Sequence, residues 1–445
     1  MFKKVLVANR GEIAVRVIRS CMELGIRTVA VFSEADRESR AVKLADEAIC
    51  IGPAASSKSY LNIPNIISAA SITGADAIHP GYGFLSENSY LAEICEAMRI
   101  TFVGPSAQVM DRMADKVRAR EEMAAAGLPI IPGSENAVRG LADAEHTARE
   151  IGYPVMLKAA AGGGGRGLRV IRNGEDLARV YPIAQAEAEK AFGNGELYLE
   201  RYLEQARHIE IQILVDQHGN AVHLGERDCS IQRRHQKLVE EAPSPVVSDK
   251  LRQQMGSLAA KAAAKIGYSN AGTMEFLVDK QGRFYFMEIN TRIQVEHPVT
   301  EAIYDVDVVK LQLAIAAGQK MPLKQADVKP RGHAIECRIN AEDPERDFAP
   351  EAGVVTEFVA PGGPGIRVDT HLFNGYRIPP FYDSLMAKVI AHGADREQAV
   401  VRMRRALEEM TIEGVRTTIP FHLGVLRDPI FLQGKADTTY VDKAA

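Results

Sequence analysis

The stretch 271–298, AGTMEFLVDKQGRFYFMEINTRIQVEHP, restricts what this chain can become more than any other. Two apolar and aromatic runs, 274–278 and 284–289, flank Lys280-Gln281-Gly282-Arg283, a pattern that predicts a β-hairpin. A turn centred between Gln281 and Gly282 sets Glu275 directly opposite Glu288. Like charges facing each other across a sheet repel. Both glutamates sit among Phe276, Leu277, Phe286 and Met287, so a solvated face explains them poorly. Burying two carboxylates is costly unless a cation or a proton pairs them. A hard cation such as Mg²⁺ takes oxygen ligands and leaves room for phosphates and water. Asn290 follows Glu288 by two residues and shares its face.

A chain of 445 residues exceeds one core and implies two to four domains. With 46% hydrophobic and 25% charged residues it reads as an ordinary globular protein. A net charge of −4 gives no reason to expect nucleic acid. The five cysteines, Cys21, Cys50, Cys95, Cys229 and Cys337, lack CxxC spacing, which argues against a disulfide framework or a zinc site. No leader-like start and no run of 18 apolar residues is present, so a cytoplasmic protein without a membrane span is expected.

Strands at 4–8, 28–32, 75–78 and 101–103, separated by a helix at 11–24 and Gly/Pro loops, predict an open parallel sheet ending near residue 114. Its first turn, Asn9-Arg10-Gly11-Glu12, lacks GxGxxG, and Glu12 would oppose a pyrophosphate. A helix at 111–126 precedes a new unit beginning near 131. That unit has strands at 155–159, 168–171 and 197–199, a glycine-rich loop at 162–167 and a helix at 175–190. Strands at 208–215 and 221–226, helices at 249–266 and 307–317, and a β-rich segment from 332 follow, closing with a helix at 396–410.

Four consecutive glycines after Lys158 can bring backbone N–H groups against phosphate oxygens, although the spacing is not that of a Walker A loop. Lys158, on an apolar strand, needs an anionic partner. Lys116 alone reads as a solvated lysine. The run Arg233-Arg234-His235-Gln236-Lys237 lacks interleaved aromatics and is offset by nearby acids, which favours a small-anion site over a nucleic-acid patch. In an extended chain Arg292, Gln294 and Glu296 project to one side, where a guanidinium can grip a planar anion and a carboxylate can take its proton. His297 and Cys229 read as structural. Arg338 either pairs with Glu336 or stabilises an anion, and Tyr82 sits in a glycine loop suited to display.

These pieces together resemble the ATP-grasp superfamily, and more narrowly the biotin carboxylases. The resemblance rests on ANRGEIAVR, HPGYGFLSEN, KAAAGGGGRG, ERDCSIQRRHQK, MEINTRIQVEHPVTE, GHAIECRINAEDP and PPFYDSLMAKVI, in that order across nearly the whole chain. It implies an α/β and α+β multidomain protein. An N-terminal pre-ATP-grasp parallel sheet would span 1–114, an ATP-grasp core 115–330 with a mobile lid at about 131–202, and a β-rich C-terminal domain 331–445. The implied chemistry is attack of bicarbonate on the γ-phosphate of ATP to give carboxyphosphate. Carbon dioxide released from it would then be captured by N1′ of biotin.

By resemblance, Glu275, Glu288 and Asn290 hold Mg²⁺ (or Mn²⁺). Lys116, Lys158, Gly163, Gly164 and Gly165 hold phosphates. Glu200, Arg201 and Leu203 form the strand that meets adenine, with His208, Gln232 and His235 near the ribose. Lys237, Arg292, Gln294 and the backbone of Val295 bind bicarbonate, and Glu296 is its general base. Arg338 stabilises the enolate oxygen of biotin, Tyr82 lies beside the biotin, and Asp383 is a further active-site acid. The chain carries no Ala-Met-Lys-Met biotinylation motif and has no room for a carboxyltransferase. It therefore resembles the separate subunit that serves a biotin carboxyl carrier protein and carboxyltransferase subunits, most simply in acetyl-CoA carboxylase. Relatives form homodimers, and the helix at 11–24, with Arg16, Arg19 and Glu23, is the expected interface. The competing readings are an ATP-grasp ligase acting on an amine, and a non-catalytic nucleotide sensor or RNA-binding protein.

Overall fold

In the strand Lys4–Val7 the apolar residues Val5, Leu6 and Val7 are wholly buried. Burial on both faces is what a parallel sheet clad by helices requires. Four strands join it in parallel: Arg27–Ser33, Glu47–Gly52, Ala77–His79 and Thr101–Phe102. Numbered along the chain, their order is 3-2-1-4-5. The strand Glu47–Gly52 has no counterpart in the sequence reading. It lies at the sheet edge with alternate residues exposed, so it carries no continuous apolar signal. The computed structural model describes residues 1–134, 136–160 and 168–444.

The single helix expected at 111–126 is two, Ala107–Ala114 and Lys116–Ala125. Asp115 leaves the helical region at ψ 108° and accepts hydrogen bonds from the N–H groups of Val117 and Arg118, capping the second helix. A three-stranded antiparallel sheet follows, with Val155–Ala159 between Arg169–Ile171 and Leu197–Arg201. The helices Leu141–Ile151 and Gly174–Phe192 back it.

The largest element is an eight-stranded sheet that runs across residue 330. Its strands, in spatial order, are Phe284–Asn290, Asn270–Val278, Arg207–Val215, Ala221–Arg233, Gln236–Ala242, His333–Asn340, Leu385–Gly393 and Ile366–Thr370. Period-two alternation sorts its faces. Ile209, Ile211, Ile213, Met274, Phe276, Phe284 and Phe286 enter a core shared with Ala259, Ala262 and Ala263 of the helix Asp249–Lys265. The intervening His208, Glu210, Gln212, Thr273, Glu275, Glu288 and Asn290 stand on the opposite face. All but Glu288 are buried there, a concentration of polar groups that folding alone does not favour.

The hairpin forms as expected, and Glu275 does pair with Glu288. The register is not that of a simple symmetric turn. Val278 pairs with Phe284 and Phe276 with Phe286, and a bulge then shifts the ladder so that Glu275 meets Glu288.

Two local expectations fail, and the basic run, left without an assigned element, gains one. Residues 291–296 form turns rather than an extended strand, because Glu296 sits at φ −82°, ψ 10° and Pro298 lies in the first turn of the helix His297–Tyr304. The basic run is a hairpin turn. Arg233 pairs with Gln236, and Arg234 and His235 adopt φ 48° and 65°. The C-terminal part adds short helices Ile419–Val425, Pro429–Leu432 and Tyr440–Ala444 after the helix Arg396–Glu409. Among the described residues no helix is long and apolar enough to cross a membrane.

Candidate active site

Lys237 organises the polar face. Its Nζ, on the strand Gln236–Ala242, donates to Glu210 at 2.6 Å, Glu275 at 3.0 Å and Glu296 at 2.6 Å. Three carboxylates drawn from two strands and a turn thus meet one ammonium. Burial works against the Lys237 charge, but the three carboxylates outweigh it and hold the ammonium firmly protonated.

Glu296 is wholly buried and also accepts from the Arg338 guanidinium at 2.9 Å. Burial would raise its carboxyl, but Lys237, Arg338 and Arg227 together hold it well below the usual range. Arg338 bonds Glu240 at 2.6 Å through Nε. The alternative pairing with Glu336 does not form. Both Glu336 oxygens are buried without a hydrogen-bond partner among the described residues, and burial pushes that carboxyl well up.

Glu275 accepts from Asn290 and Gln294 at 3.0 Å each, and His208 Nε2 approaches its other oxygen at 2.9 Å. Burial opposes its charge, but Lys237 and His208 hold the carboxyl far down. Glu288 is 41% exposed, with Lys116 Nζ at 3.6 Å. Lys116 is therefore half-buried against the site rather than simply solvated. Two carboxylates and an amide oxygen on adjoining strands make the oxygen donor set a Mg²⁺ ion takes, with Glu288 open to solvent and to phosphate. The buried clusters His208–Glu210–Glu275 and Glu210–Cys229–Glu296 also have metal-ligand spacing. Both centre on Lys237, whose charge already balances them.

Arg292 reaches the site through turns. It bonds Asn290 Oδ1 at 2.9 Å, Gln294 Oε1 at 3.3 Å and Glu87 at 2.9 Å. Glu87 also accepts from the Thr291 N–H at 2.9 Å, joining the N-terminal sheet region to the 291–296 turns. Lys158 finds its anionic partner in Glu200, which Arg120 also contacts. Leu203 lies beyond the strand, which ends at Arg201; the Arg201 side chain bonds the Ile151 carbonyl at 2.8 Å. Gly163, Gly164 and Gly165 lie outside the described residues.

The basic run divides its work. Arg233 and Arg234 both engage Asp347, His235 is exposed at the turn, Gln232 is half-buried opposite Lys237, and only Lys237 enters the cluster. Cys229 is wholly buried 3.9 Å from Glu296, its thiol pushed well up by burial, as befits an inert structural residue. His297 is buried with Nδ1 2.8 Å from the Gln294 carbonyl, also a structural role.

A cavity of about 320 Å³ is lined by Asn9, Glu12, Tyr82, Phe84, Tyr382 and Asp383 among others. Asn9 donates to the carbonyls of Pro80 and Tyr82 at 2.7 Å each and so fixes the Tyr82 loop. Asp36, in the turn just after the second strand of the N-terminal sheet, bonds Arg10 and Tyr60. The expected interface helix, Gly11–Glu23, is altered in one respect. Arg16 is buried and paired with Glu301 at 2.8 Å and Asp307 at 2.9 Å, so it is not available to a partner.

Sequence reasoning missed Glu87, Glu210, Arg227 and Glu240. Arg227 is wholly buried and spends its donors on Glu210, Gln212, Thr300 and Thr273. Alternation along 207–215 was the available signal for Glu210; for Arg227 there was none, since its strand is polar on both faces.

An antiparallel sheet whose polar face sets two glutamates opposite each other, beside a separate three-stranded sheet, is the architecture of an ATP-grasp ligase. Profile comparison gives the family. "Biotin carboxylase, N-terminal domain" matches residues 1–110, "Carbamoyl-phosphate synthase L chain, ATP binding domain" 115–324, and "Biotin carboxylase C-terminal domain" 336–443. Biotin carboxylase 1 of Bacillus subtilis is 56% identical, with 99% of this chain and 98% of the relative covered. A pyruvate carboxylase subunit of Methanothermobacter thermautotrophicus is 53% identical, with 100% and 90% covered. The crystal structure of the biotin carboxylase domain dimer of Hydrogenobacter thermophilus 2-oxoglutarate carboxylase, with MgADP, ADP and bicarbonate, superposes with a TM-score of 0.96 at 54% identity, covering 100% and 98%. The chain belongs to the biotin carboxylase family: it is an ATP- and Mg²⁺-dependent ligase whose substrate is biotin.

Proposed function

We propose that the protein carboxylates biotin borne on a biotin carboxyl carrier protein, as the first half-reaction of acetyl-CoA carboxylase. The observation that carries the residue assignment is Glu296, wholly buried and bonded at once to Lys237 and Arg338. Lys237, Arg292, Gln294 and the Val295 backbone receive bicarbonate, and Glu296 takes its proton as the oxygen attacks the γ-phosphate. Carboxyphosphate then breaks down to carbon dioxide and phosphate, and biotin N1′ attacks the carbon. Arg338 steadies the negative charge on the ureido oxygen, with Tyr82 and Asp383 at the cavity edge beside the ring. Mg²⁺, held by Glu275, Glu288 and Asn290, supplies neutralising charge to the phosphates. Lys116 and Lys158, with Gly163 to Gly165, hold the phosphates. Glu200, Arg201 and Leu203 meet adenine, and His208, Gln232 and His235 the ribose.

A carboxylate held so far down is a weak base. The cations that hold it down are those that anionic substrates recruit. Each anion that takes a share of Lys237 or Arg338 raises the basicity of Glu296, so the base strengthens as the site fills.

We take 1–114, 115–330 and 331–445 as the working units, with about 131–202 as a lid over ATP. The separate three-stranded sheet with its own core supports a body able to move as one. A homodimer through the Gly11–Glu23 helix would rest on Arg19 and Glu23 rather than Arg16.

Relatives of similar identity carry the names of pyruvate and 2-oxoglutarate carboxylases, so the acceptor is read by reconstitution. The protein is combined with a carboxylated-carrier assay and carboxyltransferases for acetyl-CoA, propionyl-CoA, pyruvate and 2-oxoglutarate. Transfer in the acetyl-CoA set supports the proposal; transfer confined to a 2-oxoacid set replaces it.

A further inference from the structure

Two charged side chains outside the assigned machinery join its two substrate sides. Lys388, on the strand Leu385–Gly393, is wholly buried. It lies directly across the ladder from Arg338 and shares its face. Its Nζ donates to the Val295 carbonyl at 2.8 Å and pairs with Glu12 Oε1 at 3.1 Å. Glu12 stands in the first turn of the helix Gly11–Glu23, 2% exposed in its side chain. The same Oε1 accepts the hydroxyl of Tyr82, whose loop lines the cavity beside Asp383. Glu12 Oε2 is buried with no hydrogen-bond partner among the described residues.

A buried, unpaired carboxylate oxygen is costly, and an ammonium without exposure is costlier. Packing alone would favour apolar residues at both positions. Lys388 faces Glu12, Glu336 and Asp369, with Arg367 opposing them; burial works against its charge, but the carboxylates outweigh it. The ammonium is therefore kept, and it is kept in contact with the one backbone carbonyl between Gln294 and Glu296.

We propose that Lys388 and Glu12 are positioning residues that link the Val295 loop, where bicarbonate sits, to the Tyr82 hydroxyl, where biotin sits, so that each subsite sets the geometry of the other. The link crosses from the shared sheet to the N-terminal helix and ties together four segments distant in sequence, at Val295, Lys388, Glu12 and Tyr82. It rests on the assignment of bicarbonate to the Val295 side and biotin to the Tyr82 side.

The test uses a reaction with no biotin in it. Bicarbonate-dependent ADP release is measured for the parent and for Tyr82→Phe, which deletes only the hydroxyl. Because Glu12 loses a partner and turns toward Lys388, the KM for bicarbonate rises about threefold or more with kcat little changed. A Tyr82 that served biotin alone would leave that KM untouched, and an unchanged KM overturns the proposal. The double variant Glu12→Gln/Lys388→Met removes both charges together, which preserves the fold where a single removal strands a charge. It shows the same KM rise, and adding Tyr82→Phe to it gives no further rise. Effects that multiply instead overturn the link. If the double variant does not fold, Tyr82→Phe decides alone. A parent that releases no ADP in response to bicarbonate defeats the functional assignment itself, a result distinct from an unchanged KM in an active parent.

Discussion

Replacing Glu296 by glutamine separates what this carboxylate does for the fold from what it does for the reaction. Glutamine keeps the shape and one carbonyl oxygen, so it can still accept from either Lys237 or Arg338. Its amide N–H groups then face the other cation, and one charge-assisted hydrogen bond is lost. Such a bond is worth about 1.5–3 kcal/mol. The loss falls at the lower end here, because Lys237 keeps Glu210 and Glu275 and Arg338 keeps Glu240. Spread over 445 residues this lowers the melting temperature by only a few degrees. Loss of a general base costs about 100- to 10,000-fold in turnover, or roughly 3–5 kcal/mol. MgATP affinity stays near the parent's, since Glu275, Glu288, Lys116 and Lys158 are untouched. The assay is bicarbonate-dependent ADP release beside nucleotide binding by calorimetry. Turnover above about a tenth of the parent's, with binding intact, refutes the assignment of Glu296 as base.

The other expectations are separately checkable. Arg338→Ala lowers label capture into carboxybiotin by at least about tenfold more than it lowers bicarbonate-dependent ADP release, because the ureido charge arises only in the second step; equal losses reject its role at biotin. Stability falls as pH drops from 7 to 5. His79 and His371 are held down to about 3 by burial, and His223 and His422 to about 4, so they stay neutral in the fold while the unfolded chain binds protons below about 6.5. Each histidine costs up to about 1.4 kcal/mol per pH unit in that window. Glu240, pushed up to about 7 by burial, offsets part of this by taking a proton in the fold. Denaturant midpoints that stay flat or rise toward pH 5 contradict the reading. Gly332→Ala destabilises by about 2–4 kcal/mol, from left-handed strain plus a clash. The residue sits at φ 69°, and a Cβ there would lie 2.1 Å from the Gly393 carbonyl oxygen. A melting temperature equal to the parent's refutes that cost.

The hairpin was legible because its glutamates interrupt aromatic strand. Their pairing was legible too, although the bulge that produces it was not, since nothing in Phe284 to Asn290 marks an inserted residue. Lys158 announced a buried anion, and Glu200 is that anion. The edge strand Glu47–Gly52 was hidden by its exposed alternate residues, and the split at Asp115 by unbroken helical composition on both sides. The 292–296 segment brings its side chains together as expected but by turns, because the helix that follows sets the direction of the chain. Arg16 looked available on a surface helix; its partners Glu301 and Asp307 lie nearly 300 residues away in sequence, and only the fold brings them to it. Glu87, Glu240 and Lys388 were missed for the same reason. Each acts on a residue from another segment, and local pattern carries no trace of that.

The cluster around Lys237, Glu296 and Arg338 is expected to couple ATP cleavage by bicarbonate to carboxylation of biotin. ADP release with MgATP and bicarbonate, with and without free biotin, alongside fixation of labelled bicarbonate into acid-labile carboxybiotin, tests it most directly. Biotin-stimulated ADP release with label capture is the predicted result. ATP cleavage that biotin does not stimulate and that captures no label, in folded protein that binds MgATP, contradicts it.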